Sequence, residues 1–180
     1  MIDLPDQRQL EKLPLRNIGA YAVRSARRGA SFLTGVIDER IIENPLRHVE
    51  SLVSVRDLNR SAGSLLALAA AEVAKQMTSL TATTQIRAAL CLTRVADVGI
   101  AILLAEDSTP SSEQSRYQRA RAARAAVDVV AHSIAAIEMH AAQSARDAVL
   151  ADYAVLSKTA GSSVEVQLGD PIQLSDLKGT

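Results

Sequence analysis

The stretch from Ser111 to Ala160 contains neither Gly nor Pro, and this sets the hardest condition on what the chain can fold into. Within it Ala120, Ala123, Val127, Val130, Ile134, Ile137 and Ala141 recur at helical spacing, and Val149, Tyr153 and Leu156 continue the stripe with some rotation. An unbroken helix from Ser111 to Lys158 would be roughly 70 Å long at the standard rise. A compact chain of 180 residues has a radius of gyration of only ~16 Å. The helix therefore breaks or bends, most naturally between Ala141 and Ser144, or it projects and packs on another molecule. A break or strong bend is the expectation, because long uncapped helical patterns need outside support.

The rest of the chain favours helix as well. It holds 31 Ala, 21 Leu, 15 Val and 11 Ile against one Phe, three Tyr and no Trp. Ala is the best helix former and loses no side-chain entropy, so this mixture favours helices with close axes. The fold expected is all-α: a compact bundle of about five to six helices, a long and bent C-terminal helix, and a short extended tail. Residues 1–160 are expected to form one helical domain and 161–180 an extended or partly ordered tail, where Val164, Val166 and Leu168 alternate.

Local signals place the individual helices. Pro5 and Pro14 bracket a short polar stretch suited to one or two turns, and Pro14 then suits a first helical turn. Ile18, Ala22, Ala26, Ala30 and Leu33 fall on one face, with Arg24, Arg27 and Arg28 mostly on the other. Gly35 ends that helix. Asn44 and Pro45 form a cap and first-turn pair for the next, and a further unit begins near Asp57. Thr81, Thr83 and Thr84 offer caps for a helix running to about Ala105, apolar over most of its circumference and so expected at the centre of the fold. Thr109 and Pro110 are the expected start of the last helix.

Chemical motifs are missing. Acidic and basic residues balance at 20 each, so net charge draws the chain neither to nucleic acid nor to an acidic membrane. The single cysteine, Cys91, rules out an internal disulfide or a Cys-based zinc site and reads as a small hydrophobe. Of His48, His132 and His140, only His132 has a carboxylate, Asp128, one turn away. Two ligands without a third do not make a metal site, and an ordinary Asp–His surface pair is the better reading. No phosphate loop, GxSxG elbow or HExxH is present, and a di-iron set of facing Glu and Glu-x-x-His is absent. Asp97, the most apolar carboxylate setting, has Arg94 one turn before it. No catalytic residue, cofactor or metal is therefore expected, and the chain is not expected to be an enzyme. No segment matches a signal peptide or the ~20 apolar residues of a bilayer span, which leaves the cytoplasm as the default location.

Two basic clusters remain as a possible partner surface: Arg24, Arg27 and Arg28, and then Arg116, Arg119, Arg121 and Arg124. Arg-rich helices contact phosphates through charge, but stacking aromatics are scarce and Asp128 can offset Arg124. Nucleic acid is not the expected partner.

The stretch PLRNIGAYAVRSARRGASFL from Pro14 to Leu33, followed by RHVESLV, is similar to a pattern in small all-helical bacterial immunity-type proteins of toxin–immunity systems. Arg27, Arg28, His48, Val49 and Glu50 carry the likeness, which covers about the first 75 residues. It implies a protein that binds another protein and performs no chemistry. The leading expectation is a helical protein-binding module, immunity-type or adaptor. A homo-oligomer built on the long C-terminal helix and a small-molecule sensor with a pocket between helices stay open beside it.

Overall fold

Helices account for the whole architecture of the computed structural model, which describes residues 3–54 and 61–158, with 138–142 described in backbone alone. In chain order they are α1 (Gln7–Leu10), α2 (Leu15–Ala30), a 3-10 turn (Ser31–Leu33), α3 (Glu39–Ser54), α4 (Ala62–Met77), α5 (Thr83–Glu106) and α6 (Glu113–Lys158). The all-α class follows. The alternating tail expected after Ala160 lies outside the described residues.

Several helices start where the local chemistry closes a cap, and some of these starts differ from the sequence expectation. The α1 turn is closed by a reciprocal pair: Asp6 Oδ1 accepts from the Gln9 amide at 2.8 Å and Gln9 Oε1 from the Asp6 amide at 2.9 Å. Helix α3 begins before Asn44–Pro45, because Asp38 accepts the Arg40 amide at 2.8 Å. Pro45 consequently sits inside the helix and is buried, at the cost of one ladder bond. Neither Thr81 nor the other threonines cap α5; its N-cap is Ala82, without a side-chain bond. Helix α6 is capped by Ser112, whose hydroxyl accepts the Ser115 amide at 3.0 Å, three residues beyond the Thr109–Pro110 start. Gly35 does end its segment, at a φ of 76° that favours glycine.

The helix expected at the centre, α5, packs on α2, α3, α4 and α6. It is also the one helix among the described residues long and apolar enough to cross a bilayer, although most of that window is buried inside the bundle. The more enclosed helix is α2, in which every position from Asn17 to Ala26 and from Arg28 to Ala30 is buried. Its close approaches use glycine. A Cβ at Gly19 would stand 2.6 Å from Val53 Cγ1 and 2.8 Å from Ile102 Cδ1, and one at Gly99 would stand 2.7 Å from Leu66 Cδ1 and 2.8 Å from Val49 Cγ2. These two glycines let α2, α3, α4 and α5 meet with Val49 and Val53 between them.

Helix α6 grips α2 from two directions. Its N-terminal arm runs alongside α2 in the same sense: Arg119 reaches the Leu13 carbonyl at 2.7 Å, and Ser133 donates to the Ser25 carbonyl at 2.7 Å. Its C-terminal arm runs in the opposite sense: Asp152 meets Arg24 at 2.8 Å, and the Leu156 carbonyl accepts from Asn17 at 2.8 Å. In a straight helix Ser133 and Asp152 would lie about 28 Å apart at the standard rise, yet both touch the turn of α2 that holds Arg24 and Ser25. The axis of α6 therefore doubles back between Ser133 and Asp152.

Candidate functional site: a buried arginine–aspartate cluster and an exposed basic face

Asn17, Tyr21, Arg24 and Arg28 follow one another at i, i+4, i+7 and i+11, so they form a single polar stripe along α2. That stripe faces the C-terminal arm of α6. Arg24 Nε meets Asp152 Oδ1 at 2.8 Å and Arg28 Nη2 meets Asp152 Oδ2 at 2.5 Å. Asp152 is fully buried, and Arg24 and Arg28 are 8% and 6% exposed. One carboxylate thus joins two guanidiniums almost entirely shielded from water. Tyr21 stacks edge-on against Tyr153 with centroids 6.1 Å apart. Burial, reinforced by the Asp152 charge, pushes the Tyr21 hydroxyl well above the ordinary tyrosine range. That hydroxyl finds no hydrogen-bond partner among the described residues.

This corrects the expected partner surface at two positions. Arg24 and Arg28 do not face solvent; a helix buried all round leaves them no outer side, and Asp152 supplies the counter-charge that makes their burial tolerable. Arg27 is half-buried and bridges to α3, with Glu50 at 2.6 Å and Glu43 at 3.3 Å; its hydrogen bond to Glu50 is the main reason its pKa rises. The adjacent arginines of the Arg27–Arg28 pair therefore serve separate contacts, one to α3 and one to α6. Arg119 is also engaged within the chain, through the carbonyls of Glu11 and Leu13.

The remaining three arginines stay together on the outside. Arg116 and Arg124 are exposed and Arg121 is half-buried, and no ion pair holds any of them among the described residues. Tyr117 sits among them, 62% exposed, the most exposed large apolar side chain among the described residues. Tyr117, Arg121 and Arg124 lie at i, i+4 and i+7 and so share one face. The scarcity of aromatics hid this: one well-placed tyrosine matters more to a surface than the aromatic fraction of the chain.

Asp152 is the residue that sequence reasoning missed. The signal was there, since position 152 falls between Val149 and Leu156 on the apolar stripe, where a carboxylate needs a buried cation.

The histidine pair resolves differently from expectation. Arg87 donates to His132 Nδ1 at 3.2 Å, while Asp128 stands 3.9 Å from Arg94. Burial and the Arg87 charge together lower the His132 pKa, with Asp128 opposing. His140 lies where only the backbone is described. Among the described residues no three His, Cys, Asp or Glu side chains come together in a set that could hold a metal ion. Cys91 is buried beside the Val129 carbonyl, and burial pushes its thiol well above the usual range. Comparison with protein-family models, with curated proteins and with solved structures finds no match to this chain.

Proposed function

We propose that the protein is a non-catalytic helical protein-binding module, immunity-type or adaptor, which docks an acidic protein surface on the outer face of the N-terminal arm of α6. The observation that carries this reading is Tyr117, 62% exposed among three arginines that have no ion-pair partner among the described residues. Tyrosine and arginine dominate the energetic centres of protein interfaces, because each combines a large contact area with directional polar groups. Nothing in the fold needs this residue set: the side chains neither fill the core nor close a cap. The reading takes α6 as one long helix bent on itself, with the outer face of the first arm free for docking. It also makes the cytoplasm the working place, in keeping with a lone, buried thiol.

A small-molecule sensor is the weaker alternative. The cleft beside Arg27, Glu43 and Leu46 holds about 140 Å³, below the ~300–1,000 Å³ of ordinary ligand pockets. The larger one, about 420 Å³, is lined by Asp6, Gln7, Arg8 and Glu11 of a single short segment, so it offers no wall on its far side.

The immobilised protein, exposed to lysate of its native host, should retain a stoichiometric partner. Replacing Tyr117→Ala, Arg121→Glu and Arg124→Glu together should weaken that capture by roughly 30-fold or more, the equivalent of a hot spot's ~2 kcal/mol. Capture unchanged by the triple substitution would remove the docking face. Retention on heparin that the same substitutions abolish, with no protein captured, would point to a nucleic acid instead.

A further inference from the structure

The doubling back of α6 has no sequence device to enforce it. No Gly or Pro occurs between Ser111 and Ala160, and helical structure is continuous from Glu113 to Lys158. The segment EMHAAQSARDA around the reversal is rich in Ala and in straight-chain residues, which favour an extended helix. What holds the C-terminal arm back is tertiary: Asp152 between Arg24 and Arg28, the Leu156 carbonyl on Asn17, Tyr153 on Tyr21, and the apolar packing of Ala145, Val149 and Leu156. This interface is far more polar and specific than the Ala, Leu and Val packing between α2 and α5.

A straight α6 would carry Asp152 about 28 Å away from Ser133 at the standard rise, out of reach of its own α2. The α2 stripe would then lose its carboxylate and its apolar cover, and the detached arm would expose the complementary face. A second copy in the same state presents both halves of the missing interface. Its C-terminal arm fits the vacated α2 stripe residue for residue, and the exchange is reciprocal, so the pair closes with two-fold symmetry.

We propose that α6 opens between Ser133 and Asp152 into one rod and exchanges its C-terminal arm with a second copy, so that Asp152 of each chain lies between Arg24 and Arg28 of the other. The occupant of the α2 stripe is thus fixed by chemistry: an apolar helix with one aspartate at the position that meets both guanidiniums. Local helix propensity favours the open rod, and chain connectivity favours the closed hairpin at low concentration, where the arm's own α2 is always nearest. Raising concentration shifts the balance to the exchanged dimer. This inference is independent of the docking face, which lies on the other arm of α6 and is unchanged by the exchange.

The test uses the full chain and the variant Ala142→Pro, which places a helix breaker midway between Ser133 and Asp152. Both are concentrated, warmed to just below the melting transition, cooled, and measured by light scattering over a wide range of concentration. The wild-type mass should rise from 19.1 kDa towards twice that value, while Ala142→Pro, locked in the hairpin, should keep the monomer mass with unchanged helix content. A wild-type chain that stays monomeric throughout overturns the exchange. So does an Ala142→Pro protein that dimerises equally well, since its dimer would then use another surface.

Discussion

Asp152 is accommodated at full burial because each carboxylate oxygen meets a different guanidinium. Such a cluster adds little net stability over a well-packed apolar one, but removing one member strands the others. Asp152→Ala should therefore destabilise the fold by about 3–5 kcal/mol, read from urea unfolding. Replacing all three residues together, Asp152→Leu with Arg24→Leu and Arg28→Met, should cost much less than that single change. Equal losses would mean that the charges are not coupled. His132 makes a second prediction at this scale. Its folded-state pKa lies below the ordinary imidazole value of about 6.5, so between those two values the unfolded chain binds more protons than the folded one. The stability His132 contributes is complete above the ordinary value and is lost as pH falls through the folded-state value. Unfolding midpoints of the wild type and His132→Gln should converge on acidification from about pH 8 to about pH 5; parallel curves would contradict the lowered His132 pKa.

At the scale of elements, the helices meet through their smallest residues. Gly19→Ala would drive a methyl into Val53 Cγ1 and Ile102 Cδ1, and Ala26→Leu would overfill a site with no exposure. Each should lower stability by about 1–3 kcal/mol through overpacking, measured by thermal melts. Combining Val53→Ala with Gly19→Ala should recover part of the loss, since it removes the atom struck first. A melting temperature unchanged by either single substitution would remove the face assignment of α2. Only part of this was legible in the sequence: Ala22, Ala26 and Ala30 mark a small-residue face by spacing, but Gly19, where Val53 and Ile102 come closest, carries no such signal. Arg24 and Arg28 were not, because a periodic pattern treats arginine as the solvent side, and only a distant carboxylate, 124 and 128 positions along the chain, reverses that. Pro45 misled for a related reason. A proline after Asn matches a helix start, but Asp38 caps α3 earlier and buried packing accepts the proline inside it.

For the whole molecule, the limit on length read from the sequence proved the most useful constraint. It demands that an α6 this long bend or find another molecule, and the contacts of both arms to α2 support the bend within one chain proposed above. They also show why no glycine was needed, since the reversal is fixed by what the arm touches. The proposed docking face was only half legible, because spacing put the arginines on one helix but could not show that Arg119 turns inward to Glu11 and Leu13 while Tyr117 turns out. The doubling back of α6 is tested most directly by a distance between spin labels at Arg124→Cys and Val155→Cys, at a concentration low enough to keep chains apart. Native Cys91, buried with a raised thiol pKa, stays unlabelled. A folded-back α6 should give a distance below about 30 Å, whereas an α6 that is straight within one chain would give about 46 Å at the standard rise and would contradict the fold described.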